Sequence, residues 1–369
     1  MSHPLLKHTS ALAEALLQFY ARQRRDLPWR KTQDPYRIWV SEVMLQQTQV
    51  QTALPYYERF IERLPTVEAL ARAPLDRVLK LWEGLGYYAR ARNLHKAAQI
   101  VVRDYDGRLP SERAALLKLP GVGRYTAGAI LSIAFGQDEP ALDANARRVL
   151  CRLFALRQDL RKPATEKLLE NYCRQLIPKN RAGEFNQALM DLGATICLPK
   201  GPTCLLCPLR SFCIARRRGV QNELPVTAPK RTKPHYEVAV GVIWRENKIF
   251  IARRPDHGLL GGLWEFPGGK RQGDEPLERT LMREIAEETG MRVHRVRPLT
   301  VIEHGYSHFS VTLHVFECRH LRHAPKSLRP WRWVALARLK DFALPAANQR
   351  IVELLREKYQ KRQRAATIS

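Results

Sequence analysis

Four cysteines crowd into residues 197–213, at Cys197, Cys204, Cys207 and Cys213, with the spacing C-x6-C-x2-C-x5-C. Four thiolates so close in sequence converge on one centre only if the chain wraps round it, and Pro199, Gly201, Pro202 and Pro208 supply the bends. Buried free cysteines rarely cluster in this way. Thiolate chemistry alone leaves zinc and an iron–sulfur cluster both open. Zinc knuckles usually pair two C-x2-C arms, and the single arm here tilts towards a cubane cluster. A second group is acidic: Glu284, Glu287 and Glu288 fall at i, i+3 and i+4, on one face of any helix that holds them. Like charges so placed repel by a few tenths of a kcal/mol per pair unless a cation sits among them. A third is the stretch LPGVGRYTA (119–127), where two glycines bracket one apolar residue ahead of a helical pattern. Glycines there let the backbone turn sharply, so that N–H groups at a helix start can face one phosphate oxygen. The plainer alternative is an ordinary helix–helix turn.

The elements that must hold these groups follow from period and composition. The chain has 369 residues, 45% of them hydrophobic, enough to fill a core in each of two domains. Its formal charge of +26 favours a polyanionic partner, with nucleic acid the leading candidate. No apolar run approaches ~18 residues and the N-terminus lacks a signal-peptide pattern, so a cytoplasmic, nucleoid-associated protein with no membrane partner is expected. Cys151, Cys173 and Cys318 stand apart from the cluster, which speaks against a disulfide framework and fits a reducing compartment. Residues 1–215 carry apolar residues at helical spacing, as in Leu12, Leu16, Phe19 and Val149, Leu150, Leu153, Phe154, and read as all-α. Residues 216–234 lose that period, gather proline and basic residues, and read as a linker. In residues 235–369 EVAVGVIW and KIFIARR look like strands joined by a turn at Glu246-Asn247, PLERTLMREIAEETG is helical, and SVTLHVFEC is a strand again. This part reads as α+β, with a basic tail (KYQKRQRAATIS) expected to fray.

SEVMLQQTQV (41–50), LPGVGRYTAGAI (119–130), ALDANARRV (141–149), EFNQALMDLGATIC (184–197) and the four-cysteine loop together resemble the helix-hairpin-helix DNA glycosylases, specifically adenine DNA glycosylases of the MutY type. The resemblance implies excision of adenine mispaired with 8-oxoguanine or guanine in double-stranded DNA, a [4Fe–4S] cluster on the four cysteines, and a chain acting as a monomer. Such chemistry needs two acids with opposite tasks. A protonated carboxyl delivers a proton to the departing base, and an ionised one stabilises the oxocarbenium-like sugar left behind. By resemblance these are Glu42 and Asp143. The plainer alternatives are an acid in a first helical turn after Ser41, and an N-cap for a helix starting near Ala144. Tyr125 stands where strand-cutting relatives carry a lysine nucleophile, and a phenol cannot form an imine. A monofunctional enzyme is therefore expected, with Tyr125 and Asn145 positioning Asp143 or the sugar.

The same resemblance assigns further contacts. LQQTQ puts Gln46, Gln47 and Gln49 on a helix, and Gln47 with Tyr87 of LGYYAR enters the base stack; Gly121, Val122 and Gly123 grip the backbone; Arg30 and Gln187 line an adenine pocket. Residues 269–291 fit the Nudix pattern G-x5-E-x7-R-E-U-x-E-E-x-G-U at every fixed position, U being aliphatic. Nudix hydrolases hold Mg²⁺ on these acids, so Glu284, Glu287 and Glu288 are candidate Mg²⁺ ligands. The glycosylase family instead uses a Nudix-like domain to read 8-oxoguanine, here through Tyr306, Ser307 and His308. Two rival readings are a nucleotide pyrophosphohydrolase tethered to DNA and a non-catalytic DNA-damage binding protein.

Overall fold

The computed structural model describes residues 3–226, 232–306, 309–322, 325–326 and 329–368. Two compact units emerge: residues 1–72 with 93–230, and residues 73–92 with 231–369.

The first unit is helical, with no strand among its described residues. Its largest core joins the helices Thr9–Gln23, Ala144–Leu153 and Ala182–Thr195 through Leu12, Leu16, Val149, Leu150, Phe185 and Leu189. Leu12 and Leu16, Phe185 and Leu189, and Ala146, Val149, Leu150 and Leu153 follow the helical period, so each helix turns one apolar stripe inward. Cys197, Cys207, Cys213 and Phe212 pack on the rim of the same core. The glutamines of LQQTQ depart from expectation. The helix Pro35–Leu45 ends at Leu45, Gln47 takes a left-handed backbone at φ 57°, and the next helix begins at Val50. Gln46 to Gln49 thus form a turn between helices, which leaves Gln47 exposed.

The second unit is built on one mixed sheet. Its strands are β1 (His235–Arg245), β2 (Lys248–Arg253), β3 (Trp264–Glu265), β4 (Gly268–Lys270), β5 (Arg292–Gly305), β6 (Ser310–Arg322) and β7 (Trp331–Ala335). Along the sheet the order is β3-β2-β1-β6-β5, with β4 also on β1 and β7 also on β2; β1 and β6 run parallel and the other pairs antiparallel. Alternation along β1 sends Ala239 and Ile243 to one face, with Leu281 and Ile285 of the helix Leu277–Thr289. Val240, Val242 and Trp244 go to the other, with Ile351 and Leu355 of the helix Ala346–Ile368. The basic tail expected to fray continues that last helix to Ile368. β3, β4 and β7 are too short to show a period-two pattern of their own.

Candidate active site

Glu42 lies in the later half of the helix Pro35–Leu45, which Asp34 starts by accepting from the Tyr36 N–H at 2.9 Å, with Pro35 pre-setting the first turn. A first-turn position for Glu42 is thereby excluded. The surrounding residues Trp39, Val40 and Val43 are buried, and Glu42 with them is 4% exposed. Its carboxylate accepts a hydrogen bond from the Tyr125 hydroxyl. Burial pushes the Glu42 carboxyl up to about 7; the Tyr125 hydrogen bond and Arg30 pull down, and the charge of Asp143 pushes up. Burial and the neighbouring carboxylates push the Tyr125 phenol well up in turn, so it stays a donor.

Tyr125 owes its place to the glycine turn. Gly121 sits at φ 78°, and a Cβ there would come within 2.8 Å of the Asn93 Cβ, so both backbone and space demand glycine. Gly123 is the N-cap of the helix Arg124–Ile133, and no side chain caps that helix. Val122 serves the turn itself: its side chain is buried and its N–H donates to the Leu119 carbonyl at 3.1 Å.

Asp143 caps the helix Ala144–Leu153, accepting from the Ala146 N–H at 2.6 Å and from the Asn145 amide at 3.0 Å. Burial raises its pKa, while these hydrogen bonds and Arg148 oppose the rise. Two residues that sequence reasoning missed deliver the chain to this cap. Asn186, fully buried, accepts from the Ala141 N–H at 3.1 Å and donates to the Glu139 carbonyl at 2.8 Å. Gly193 lets two helices approach, because a Cβ there would lie 2.6 Å from the Asn145 Cβ.

Arg30 is held by both ends of its guanidinium on Asp191, at 2.6 and 2.8 Å, and Arg25 reaches the same carboxylate at 2.7 Å. Asp191 is 1% exposed. Two cations around one buried anion form a satisfied cluster beside Glu42. With its fork on Asp191, Arg30 also pulls the Glu42 pKa down through its charge. Gln187 donates to the Gly183 carbonyl of its own helix at 3.0 Å. Asp191 stood in the quoted motif, but its two partners lie more than a hundred residues away in the chain.

The four clustered cysteines, none of them disulfide-bonded, line one cavity with Arg152, Arg210 and Arg216. Burial pushes Cys207 up to about 12 and raises Cys213, so uncompensated thiolates would be costly there and a cationic centre would offset the cost. Among the described residues no group of three or more His, Cys, Asp or Glu is placed to hold a single metal ion. Four sulfur donors lining one cavity are a donor set that an iron–sulfur cluster or zinc accepts. Two arginines tie this loop to the cap helix. Arg152, 2% exposed, donates to the carbonyls of Leu198 at 2.6 Å, Pro199 at 3.0 Å and Leu224 at 2.9 Å, and to the Cys197 sulfur at 3.3 Å. Arg148 donates to the Cys197 and Gly193 carbonyls and to the Asn145 side chain, each at 2.8 Å.

In the second unit the acidic trio finds internal counter-charges. Arg283 pairs with Glu284 at 2.8 Å, Glu275 at 3.0 Å and Glu287 at 3.2 Å, and Arg329 pairs with Glu288 at 3.1 Å. Arg283 and Arg329 thus neutralise part of the face where the spacing suggested Mg²⁺, while the Glu287 side chain stays exposed. Tyr306 follows β5 directly, where its N–H donates to the Phe309 carbonyl at 2.8 Å and its ring packs on His304 and Phe309. Ser307 and His308 lie outside the described residues.

Residues 40–175 match the family of HhH-GPD superfamily base excision DNA repair proteins, and residues 239–354 match the NUDIX domain. The chain resembles a thermostable thymine-DNA glycosylase at 32% identity and a TM-score of 0.53, over 57% of this chain and 98% of that one. The adenine DNA glycosylase of Homo sapiens is 35% identical over 93% of this chain and 73% of its own length. That of Buchnera aphidicola subsp. Baizongia pistaciae is 36% identical over 82% and 84%. No helix among the described residues is long and apolar enough to cross a membrane. With a buried acid, a second acid that caps a helix, and this likeness over most of the chain, the chain belongs to the adenine DNA glycosylases, enzymes of base-excision repair that hydrolyse N-glycosyl bonds.

Proposed function

We propose that this glycosylase acts as a monomer on adenine opposite 8-oxoguanine or guanine, and finishes the reaction with water, leaving an abasic site in an uncut strand. The single observation that carries the reading is Glu42, buried, lifted to about 7 and held by Tyr125. A carboxyl in that range is available to protonate the departing base at neutral pH. Asp143 accepts hydrogen bonds from Ala146 and Asn145, which favour its anion, and so serves as the stabiliser of the sugar cation. Tyr125 offers no amine, so no imine with the sugar forms. The uncapped start of the helix Arg124–Ile133, with Gly121 and Gly123, grips a phosphate, and Gln47 and Tyr87 enter the stack. We assign excision to residues 1–215, of which 73–92 belong to the compact unit of the sheet, a linker to 216–234, and reading of the oxidised guanine to 235–369 through Tyr306, Ser307 and His308. A [4Fe–4S] cluster on Cys197, Cys204, Cys207 and Cys213 would cross-link the loop that carries Lys200, Arg210 and Arg216, a basic surface for the DNA backbone.

The test is direct. Duplex carrying adenine opposite 8-oxoguanine is incubated with the protein, and free adenine and strand scission are measured separately before any alkali treatment. Adenine release without scission supports the reading. Scission in step with release, or borohydride trapping of a protein–DNA adduct, sinks the monofunctional part of it.

The Nudix acids favour reading over hydrolysis, because a divalent cation would first have to displace Arg283 and Arg329. A base within duplex also offers no pyrophosphate to cleave. Full-length protein given 8-oxo-dGTP and Mg²⁺ should release little product. Turnover at an enzymatic rate that Glu287→Gln abolishes would make the protein bifunctional.

A further inference from the structure

The residues from Trp82 to Tyr88 make a tightly specified turn. Gly84, Gly86 and Tyr87 all have left-handed backbones, at φ 97°, 78° and 49°. For tyrosine that conformation is sparsely populated, and it persists only where the surroundings over-determine it. They do so here from inside the turn. Trp82 Nε1 donates to the Gly86 carbonyl at 3.1 Å, as does Arg90 at 3.2 Å, and the Tyr88 hydroxyl accepts from the Gly84 N–H at 3.1 Å. The Arg90 guanidinium lies over the rings of both Trp82 and Tyr87, 5.4 Å from each centroid. Tyr87 is left 40% exposed while Tyr88 is buried.

The turn is also anchored from outside itself. It lies in the same compact unit as the α+β sheet, and charged side chains on either side of it reach main-chain groups of two loops of that unit. Before the turn, Lys80 donates to the Phe342 carbonyl at 3.1 Å and Glu83 accepts from the Leu344 N–H at 2.9 Å. After it, Arg92 donates to the carbonyls of Gly261 at 2.7 Å and Gly258 at 3.4 Å. Asp76 faces Arg253 of β2 at 3.6 Å. Hydrogen bonds with one charged partner are the stronger kind, and bonds to main chain fix position more closely than pairs of flexible side chains do.

From this arrangement we infer that Glu83 and Arg92 are positioning residues that hold the Tyr87 turn on the α+β domain, so that the residue entering the DNA stack is presented by the domain that carries the reader. The inference rests on the reading of Tyr87 as a DNA-contacting residue, and adds to it the groups that aim Tyr87. Neither Glu83 nor Arg92 need touch DNA. Their substitution should act wholly through Tyr87.

A double-mutant cycle on full-length protein tests it, with binding to duplex carrying adenine opposite 8-oxoguanine as the readout and thermal unfolding alongside. Arg92→Ala should weaken binding about tenfold, as Tyr87→Ala does, yet add less than about twofold when Tyr87 is already alanine. Arg92→Lys, which keeps one donor for the Gly261 carbonyl, should recover part of the loss. Glu83→Ala provides the same cycle from the other anchor should Arg92→Ala fail to fold. Additive losses from Arg92 and Tyr87 overturn the positioning role while leaving Tyr87 a DNA contact. A neutral Tyr87→Ala overturns both.

Discussion

The Tyr125 hydroxyl donates to the Glu42 carboxylate across 83 residues of chain, so the residue proposed to stand in place of a lysine nucleophile is also the partner of the proposed acid. The pairing joins the two features on which the reaction class depends: no amine, and a carboxyl raised by burial.

Adenine release should therefore lose activity as pH rises through about 7, because Glu42 then ionises. Tyr125→Phe removes a hydrogen bond that favours the anion, which raises Glu42 further. Its single-turnover profile should keep the alkaline fall but move it to higher pH. An unmoved or acid-shifted limb would assign that fall to another group.

Glu42 also leaves a signature in stability. Its pKa in the fold, about 7, exceeds the ordinary 4.5, so its contribution is fully present below about 4.5 and is lost as pH rises through about 7. The full difference is on the order of 3 kcal/mol. Glu42→Gln, neutral at every pH, should be more stable than wild type at about pH 8 and nearly equal to it at about pH 4.5. Urea unfolding at the two pH values measures this, while the same variant binds the mismatch and releases almost no adenine.

Asp143 combines a cap with a charge, and two substitutions separate them. Asn is as good a cap as Asp, so Asp143→Asn should keep stability within a few tenths of a kcal/mol while abolishing release. Asp143→Ala should lose about 1 kcal/mol of stability as well. Equal activity in wild type and Asp143→Asn would leave the residue a cap alone.

Arg152 is the buried fastener of the cysteine loop. Arg152→Leu strands three carbonyls, each unsatisfied group costing about 1–3 kcal/mol, so the iron and sulfide of the proposed cluster and thermal stability should fall together. Arg152→Lys cannot span the three carbonyls and should restore little. Full iron content in Arg152→Leu would show the loop to be held by other means.

The sequence by itself determined the local features. Helical period, the glycine turn, the cap at Asp143, the strand alternation of β1 and β6 and the four-cysteine spacing are all set by neighbours within a turn or two, where backbone sterics and side-chain period act directly. It also marked Glu42 and Tyr125 as separate candidates. Tertiary packing decided the rest. Which hydroxyl meets Glu42, that Arg30 is engaged by Asp191 across 161 residues, and that Arg283 and Arg329 neutralise part of the Nudix acidic face depend on which helices and strands are brought together. So does the membership of residues 73–92, which lie in the helical half of the sequence yet pack with the sheet. A charged side chain at a given position has the same local propensity whether it faces solvent, a cofactor or a carboxylate far along the chain, and only the packed core chooses among them.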